Sequence, residues 1–163
     1  MTTAQTASEE IISITGTTTI GGSTWYVVTL SWVGSTETEE KYLRHDAKGL
    51  LWKDLVTDPG YYRFLAPLTA GHAWTDMLDP AYSYKITDDA AVVETPLATF
   101  VGCVVVQQTF RGCTGPPDQV SVAWFAPNVG PVKEEQYVGT NLVFASELKS
   151  CNLFASTAAA LAK

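Results

Sequence analysis

The feature that most constrains the fold is an even scatter of turn signals along the chain. They are Gly21-Gly22, Gly34-Ser35, Asp58-Pro59-Gly60, Asp79-Pro80, Asp88-Asp89, Gly115-Pro116-Pro117, Pro127-Asn128 and Gly139-Thr140. Short runs rich in β-branched and aromatic residues lie between them, the signature of an antiparallel β domain. Residues 25–32 read as a strand with Tyr26, Val28, Leu30 and Trp32 on one face. Residues 41–46 pair with 50–57 across Ala47-Lys48-Gly49. Tyr82, Tyr84 and Ile86 alternate with Ser83, Lys85 and Thr87, a clean period of two. Residues 101–111 form a long strand, Val122 and Trp124 lie on the next, and residues 132–137 and 142–148 complete a meander. The expected class is all-β: an antiparallel curved sheet, half-open barrel or sandwich, with at least eight strands. Residues 1–8 read as a flexible or partner-docked arm, 9–152 as one β domain and 153–163 as a short alanine-rich tail.

A chain of 163 residues with 46% hydrophobic side chains can build a real core. The core is expected to hold Val28, Leu30, Trp74, Phe100, Val104, Val106, Val122, Trp124 and Phe144. Net charge is −7, which argues against nucleic acid, because tracking phosphates needs a lysine and arginine surplus. No window approaches the roughly 20 apolar residues of a membrane span. Residues 1–10 lack the basic and apolar regions of a signal peptide. The chain is therefore either cytoplasmic or the mature part of an exported protein.

The catalytic inventory is thin. His45 reads as a surface turn residue, and His72, four residues before Asp76, as a structural loop histidine, since no nucleophile elbow accompanies it. Glu37, Glu39 and Glu40, and the adjacent Glu134 and Glu135, read as solvated edge charges. Asp76, Asp79, Asp88 and Asp89 lack the spacing of a calcium loop, and residues 16–22 lack the lysine of a phosphate loop. No catalytic residue, metal or cofactor is expected. The aromatics are more suggestive, with five tryptophans and seven tyrosines. Most belong in a core; Trp25, Trp52, Tyr61 and Tyr62 are the candidates for facing a ligand or partner. In residues 25–28 both faces of one strand are apolar, so something is expected to cover each side.

The three cysteines, Cys103, Cys113 and Cys151, cannot all pair within one chain. They are either buried thiols or one disulfide plus a spare thiol. Cys103 and Cys113 are separated by about 33 Å of extended strand, whereas a disulfide allows under about 7 Å between Cα atoms. If one bridge forms, the meander favours Cys103–Cys151.

Four islands resemble the TapB-like family of small β domains found in bacterial envelope lipoproteins. Asp46-Ala47-Lys48-Gly49-Leu50 resembles its D-x-x-G-L hairpin, and residues 67–74 its P-L-x-x-G-x-x-W stretch. Residues 95–103 resemble its V-P-A-G-T-F-x-x-C segment, and residues 126–133 its A-P-G-V-G-L-V-K turn. Asn128 replaces a glycine there and tolerates a left-handed turn. Ala98 replaces another, so that turn is expected to differ. Pro131 replaces an apolar strand residue, so its strand is expected to start late or lie at an edge. The resemblance implies an antiparallel fold and an extracytoplasmic home, and brings no catalytic residues. The expected role is to bind a small apolar ligand or a protein partner, itself included as a homo-oligomer. The alternative is a structural subunit of a filament or virion, with its termini docked on neighbours.

Overall fold

The computed structural model describes residues 9–76, 78–112 and 119–150. Two compact units divide the chain, Met1–Ala66 and Pro67–Lys163, and each carries one antiparallel sheet. All regular structure among the described residues is strand, in eleven segments. The fold is thus all-β, and neither sheet closes into a barrel, because each keeps two end strands.

The first sheet is a meander, β1 (Glu10–Ile20), β2 (Ser23–Trp32), β3 (Thr38–Asp46), β4 (Gly49–Lys53) and β5 (Tyr61–Leu65), paired in sequence order. Its hairpins follow from their turn residues. Gly21 and Gly22 both take positive φ, 57° and 76°, as a two-residue loop of the twist-matched type demands. At the next sharp reversal, Asp46 accepts the amides of Lys48 and Gly49 at 2.8 and 3.1 Å through one carboxylate oxygen. That aspartate turn replaces the hydrogen bonds the backbone loses in reversing. Gly49 sits at φ 152°, with the Phe64 carbonyl of β5 close enough to exclude any side chain.

The second sheet is also a meander, β6 (Ala73–Thr75), β7 (Tyr82–Glu94), β8 (Thr99–Phe110), β9 (Gln119–Ala126), β10 (Gly130–Val138) and β11 (Asn141–Glu147). The period of two in β7 is real: Tyr84 and Ile86 are buried while Lys85 and Thr87 are exposed. Beyond Ile86 the pairing of β7 with β8 slips three times, and Asp88 caps its own turn by accepting the Ala90 amide at 2.8 Å. Val93, Phe100, Cys103, Ala126 and Val132 form the core of this unit, with Leu97, Trp124, Val129 and Leu148 packed against them.

Several expectations need correction. Phe144 was expected in the core, but it lies on the end strand β11, whose every residue is exposed. Leu30, Trp74, Val104, Val122 and Trp124 are half-buried, while Val28, Phe100 and Val106 are buried as expected. The strand bearing Pro131 neither starts late nor lies at the edge. β10 begins at Gly130 between β9 and β11, and a register shift between Pro131 and Lys133 absorbs the proline. Pairing with β11 begins only at Lys133, so on that side no ladder hydrogen bond is demanded of Pro131. Asn128 does adopt a left-handed conformation, φ 61°. Ala98 does not. Its turn is held instead by Thr95, whose hydroxyl accepts the Leu97 and Ala98 amides at 3.3 Å. The arm 1–8, the tail 153–163, Cys113 and Cys151 lie outside the described residues, and with them the expected Cys103–Cys151 pairing. Cys103 itself is fully buried, and burial pushes its thiol pKa up.

Candidate binding surfaces

In the first sheet, strand pairing separates the four candidate aromatics into two pairs. Residues directly opposite across a ladder share a face. Arg44 lies opposite Leu51 and Leu51 opposite Tyr62, with Trp25 under the Arg44 guanidinium at 4.9 Å. Leu43 lies opposite Trp52 and Trp52 opposite Tyr61, on the other face. Trp25 and Tyr62 therefore cannot join Trp52 and Tyr61 in one patch.

The Trp25 face is a buried cation–aromatic cluster. Trp25 is only 3% exposed. Lys53, buried beside it, holds its ammonium 5.2 Å from the indole centre and donates to the carbonyls of Val56 and Asp58. The carbonyls of Val56 and Asp58 thus lie on the Trp25 side, whereas Tyr26 on the other face is 50% exposed, so the expected cover on each side of residues 25–28 is incomplete. A buried ammonium is tolerable only with such acceptors. The indole nitrogen of Trp25 and the Nε of Arg44 are buried donors without a protein partner. Asp46 closes the cluster, accepting the Tyr62 hydroxyl at 3.0 Å and lying 3.5 Å from the Arg44 guanidinium.

Burial alone would raise the Asp46 pKa. Hydrogen bonds from the Lys48 amide, the Tyr62 hydroxyl and the Gly49 amide, with the charge of Arg44, outweigh it and hold the carboxyl below its usual range. A carboxylate whose folded pKa is depressed stabilises fully above its unfolded value, about 3.9 for aspartate, and loses that contribution as pH falls through the folded one. The stability advantage of the wild type over Asp46→Asn should therefore shrink steadily from about pH 6 to about pH 2. Urea midpoints across that range measure it, and a constant difference would show that the Asp46 charge contributes nothing.

The opposite face is also internally paired. The Trp52 indole donates to Asp54 at 3.1 Å, the Arg63 guanidinium stacks 4.8 Å above its ring, and Lys41 bridges Glu39 and Asp54 at 3.0 and 3.4 Å. Tyr61 is half-buried beside Trp52, and burial raises its hydroxyl pKa. All four candidate aromatics are thus engaged within their own sheet.

In the second sheet His72 stacks on Trp74 at 5.7 Å, and Trp74 on Tyr84 at 5.2 Å. The Asp76 carboxylate does not orient His72; it accepts the Leu78 amide at 2.7 Å. The Nε2 of His72 is buried without a partner. His45 is exposed on β3, as a surface residue should be. In the second sheet a shallow depression of about 330 Å³ is lined by the stacked Trp74 and Tyr84 together with Thr75, Ser83, Lys85 and Gln107. Glu135 accepts the Tyr137 hydroxyl and pairs with Lys133, and these partners depress its carboxyl pKa. No three of His, Cys, Asp and Glu converge as a metal site among the described residues. Nor is any helix among them long and apolar enough to cross a membrane.

The surfaces that the sequence reading missed are the end strands. Ile11, Ile12 and Ile14 on β1 are 49%, 54% and 65% exposed. Leu142, Val143 and Phe144 on β11 are exposed as well. Consecutive rather than alternating apolar residues, at 11–12 and 142–144, were the available signal, since a strand with one wet face should alternate.

No protein-family model matches the chain, and neither does any curated protein. Among solved structures, a presumed exported protein with a YmcC-like fold from Bacteroides fragilis superposes with a TM-score of 0.57. The alignment covers 87% of this chain and 86% of that one at 15% identity. Similarity at that level establishes a shared all-β fold.

Proposed function

We propose that this chain is a non-enzymatic, extracytoplasmic β protein that binds a protein partner or small apolar ligand through its end strands. The observation that carries the reading is a set of exposed apolar side chains on an end strand of each unit: Ile11, Ile12 and Ile14 on β1, and Leu142, Val143 and Phe144 on β11. Exposed apolar side chains on a sheet edge are costly in water and are commonly kept where something binds. The aromatics of the first sheet, by contrast, have partners of their own. An extracytoplasmic home draws support from the description of the structurally similar Bacteroides fragilis protein as a presumed exported protein.

A dye that fluoresces only in apolar surroundings tests this reading. The native protein should bind it, and the double variant Leu142→Ser with Phe144→Ser should lose most of the signal from the second sheet while keeping its circular dichroism. Absence of binding to the native protein, or undiminished binding to the variant, would contradict the proposal. Antibody detection in fractionated source cells should place the chain outside the cytoplasm.

A further inference from the structure

We infer that β1 is a strand-pairing edge for a second copy of this chain, joining two first sheets into one ten-stranded antiparallel sheet. The inference rests on the proposed role of the end strands and names the occupant of one of them. End strands carry a row of unpaired backbone groups, and soluble proteins blunt them by shortness, charge, proline or bulges. Three of the four end strands here are short: β5 has five residues, β6 three and β11 seven, the last closed by Glu147. β1 has eleven, with neither proline nor an ionised side chain from Ile11 to Ile20. Its bulge lies at Thr15, so the stretch from Ile11 to Ile14 pairs regularly with β2.

The sequence of that stretch is complementary to itself. In an antiparallel pair, facing residues share both a face and a hydrogen-bonding direction, so self-pairing must oppose residues of equal parity. A two-fold axis at Ser13 satisfies this condition. It sets Ile12 of one copy against Ile14 of the other, twice, making a four-isoleucine cluster on one face. Ile12 and Ile14 stand beside Leu30 and Val28 of β2, so the cluster continues an apolar row that is already partly buried. Each copy carries a net charge of −7, so a partner must avoid opposing acids. In this register the regular ladder runs over Ile12–Ile14 of each copy and ends at the bulge at Thr15; Glu10 lies outside it, and no two carboxylates face each other. Registers centred nearer Glu9 and Glu10 would oppose them. Neutrality and self-complementarity together single out an isologous contact.

Analytical ultracentrifugation of the full chain at concentrations up to about 1 mM, where even weak pairing is populated, should show a reversible monomer–dimer equilibrium. Ile12→Lys with Ile14→Lys should weaken it at least about tenfold and leave the circular dichroism unchanged. Ser13→Cys should form a covalent dimer on mild oxidation, well above the wild-type background from the native cysteines. Thr18→Cys, away from the axis, should not. A strict monomer, a dimer indifferent to the lysines, or no gain in cross-linking at position 13 would overturn the inference. Dye binding at Leu142 and Phe144 is read separately. If it persists in a monomer, only the self-pairing fails; if it too is absent, the proposed function fails with it.

Discussion

Replacing Gly49 by alanine should destabilise the first sheet by at least about 3 kcal/mol, combining backbone strain with a steric clash that the core cannot relieve. Two observations set this size. Gly49 sits at φ 152°, where L-residues are rare, and an added Cβ would lie 2.0 Å from the Phe64 carbonyl oxygen. That oxygen belongs to the backbone of β5, so β4 and β5 would have to separate. Asp46 would then lose the geometry in which it accepts the Gly49 amide, and the Arg44–Tyr62 cluster would loosen with it. Gly102→Ala is the control. It also has positive φ, 69°, but nothing lies within 4 Å of its added Cβ. It should cost about 1 kcal/mol. Urea unfolding followed by tryptophan fluorescence measures both, since Trp25, Trp32 and Trp52 report on the first sheet and Trp74 and Trp124 on the second. Equal midpoints for the two variants would show that β5 yields freely.

Phe100→Ala should cost about 3–5 kcal/mol, from lost apolar burial plus the cavity left behind. Phe100 faces Val93 across the β7–β8 ladder and packs with Cys103, Ala126 and Val132. Its neighbours come from four strands, β7 to β10, and cannot all collapse inward. Phe144→Ala, on the exposed end strand, should stay within about 0.5 kcal/mol of the wild type. Reversal of that order in thermal or urea unfolding would mean that β11 is covered and the β8 core is not.

The legible part of this fold was local. Gly21-Gly22, Asp46 to Gly49 and Pro127-Asn128 marked real reversals, because turn chemistry is decided by a few adjacent residues. The period of two at Tyr82–Ile86 was equally readable. The short strands β5 and β6 were not, since a run such as Ala73–Thr75 carries too few residues for a period to show. Burial of Phe144 was misjudged for a different reason. Alternation says which residues share a face, whereas burial depends on whether another strand follows, and β11 ends its sheet. The aromatic candidates illustrate the same limit. Trp52 looks like a candidate for a partner-facing aromatic in sequence, yet Asp54, two residues on, accepts from its indole, and Arg63, brought alongside by the β4–β5 pairing, stacks on its ring.

The central claim is that the apolar end strands, and not the aromatic clusters or the shallow depression of the second sheet, are where this protein binds. Backbone amide chemical shifts, recorded while an apolar fluorescent dye is titrated into the native protein, test it residue by residue. The account predicts that perturbations gather at Ile11–Ile14 and Leu142–Phe144, while Trp25, Trp52, Tyr61 and Tyr62 stay still. Perturbations confined to Thr75, Ser83, Lys85, Gln107 and Thr109, or to the Trp25 cluster, would contradict it.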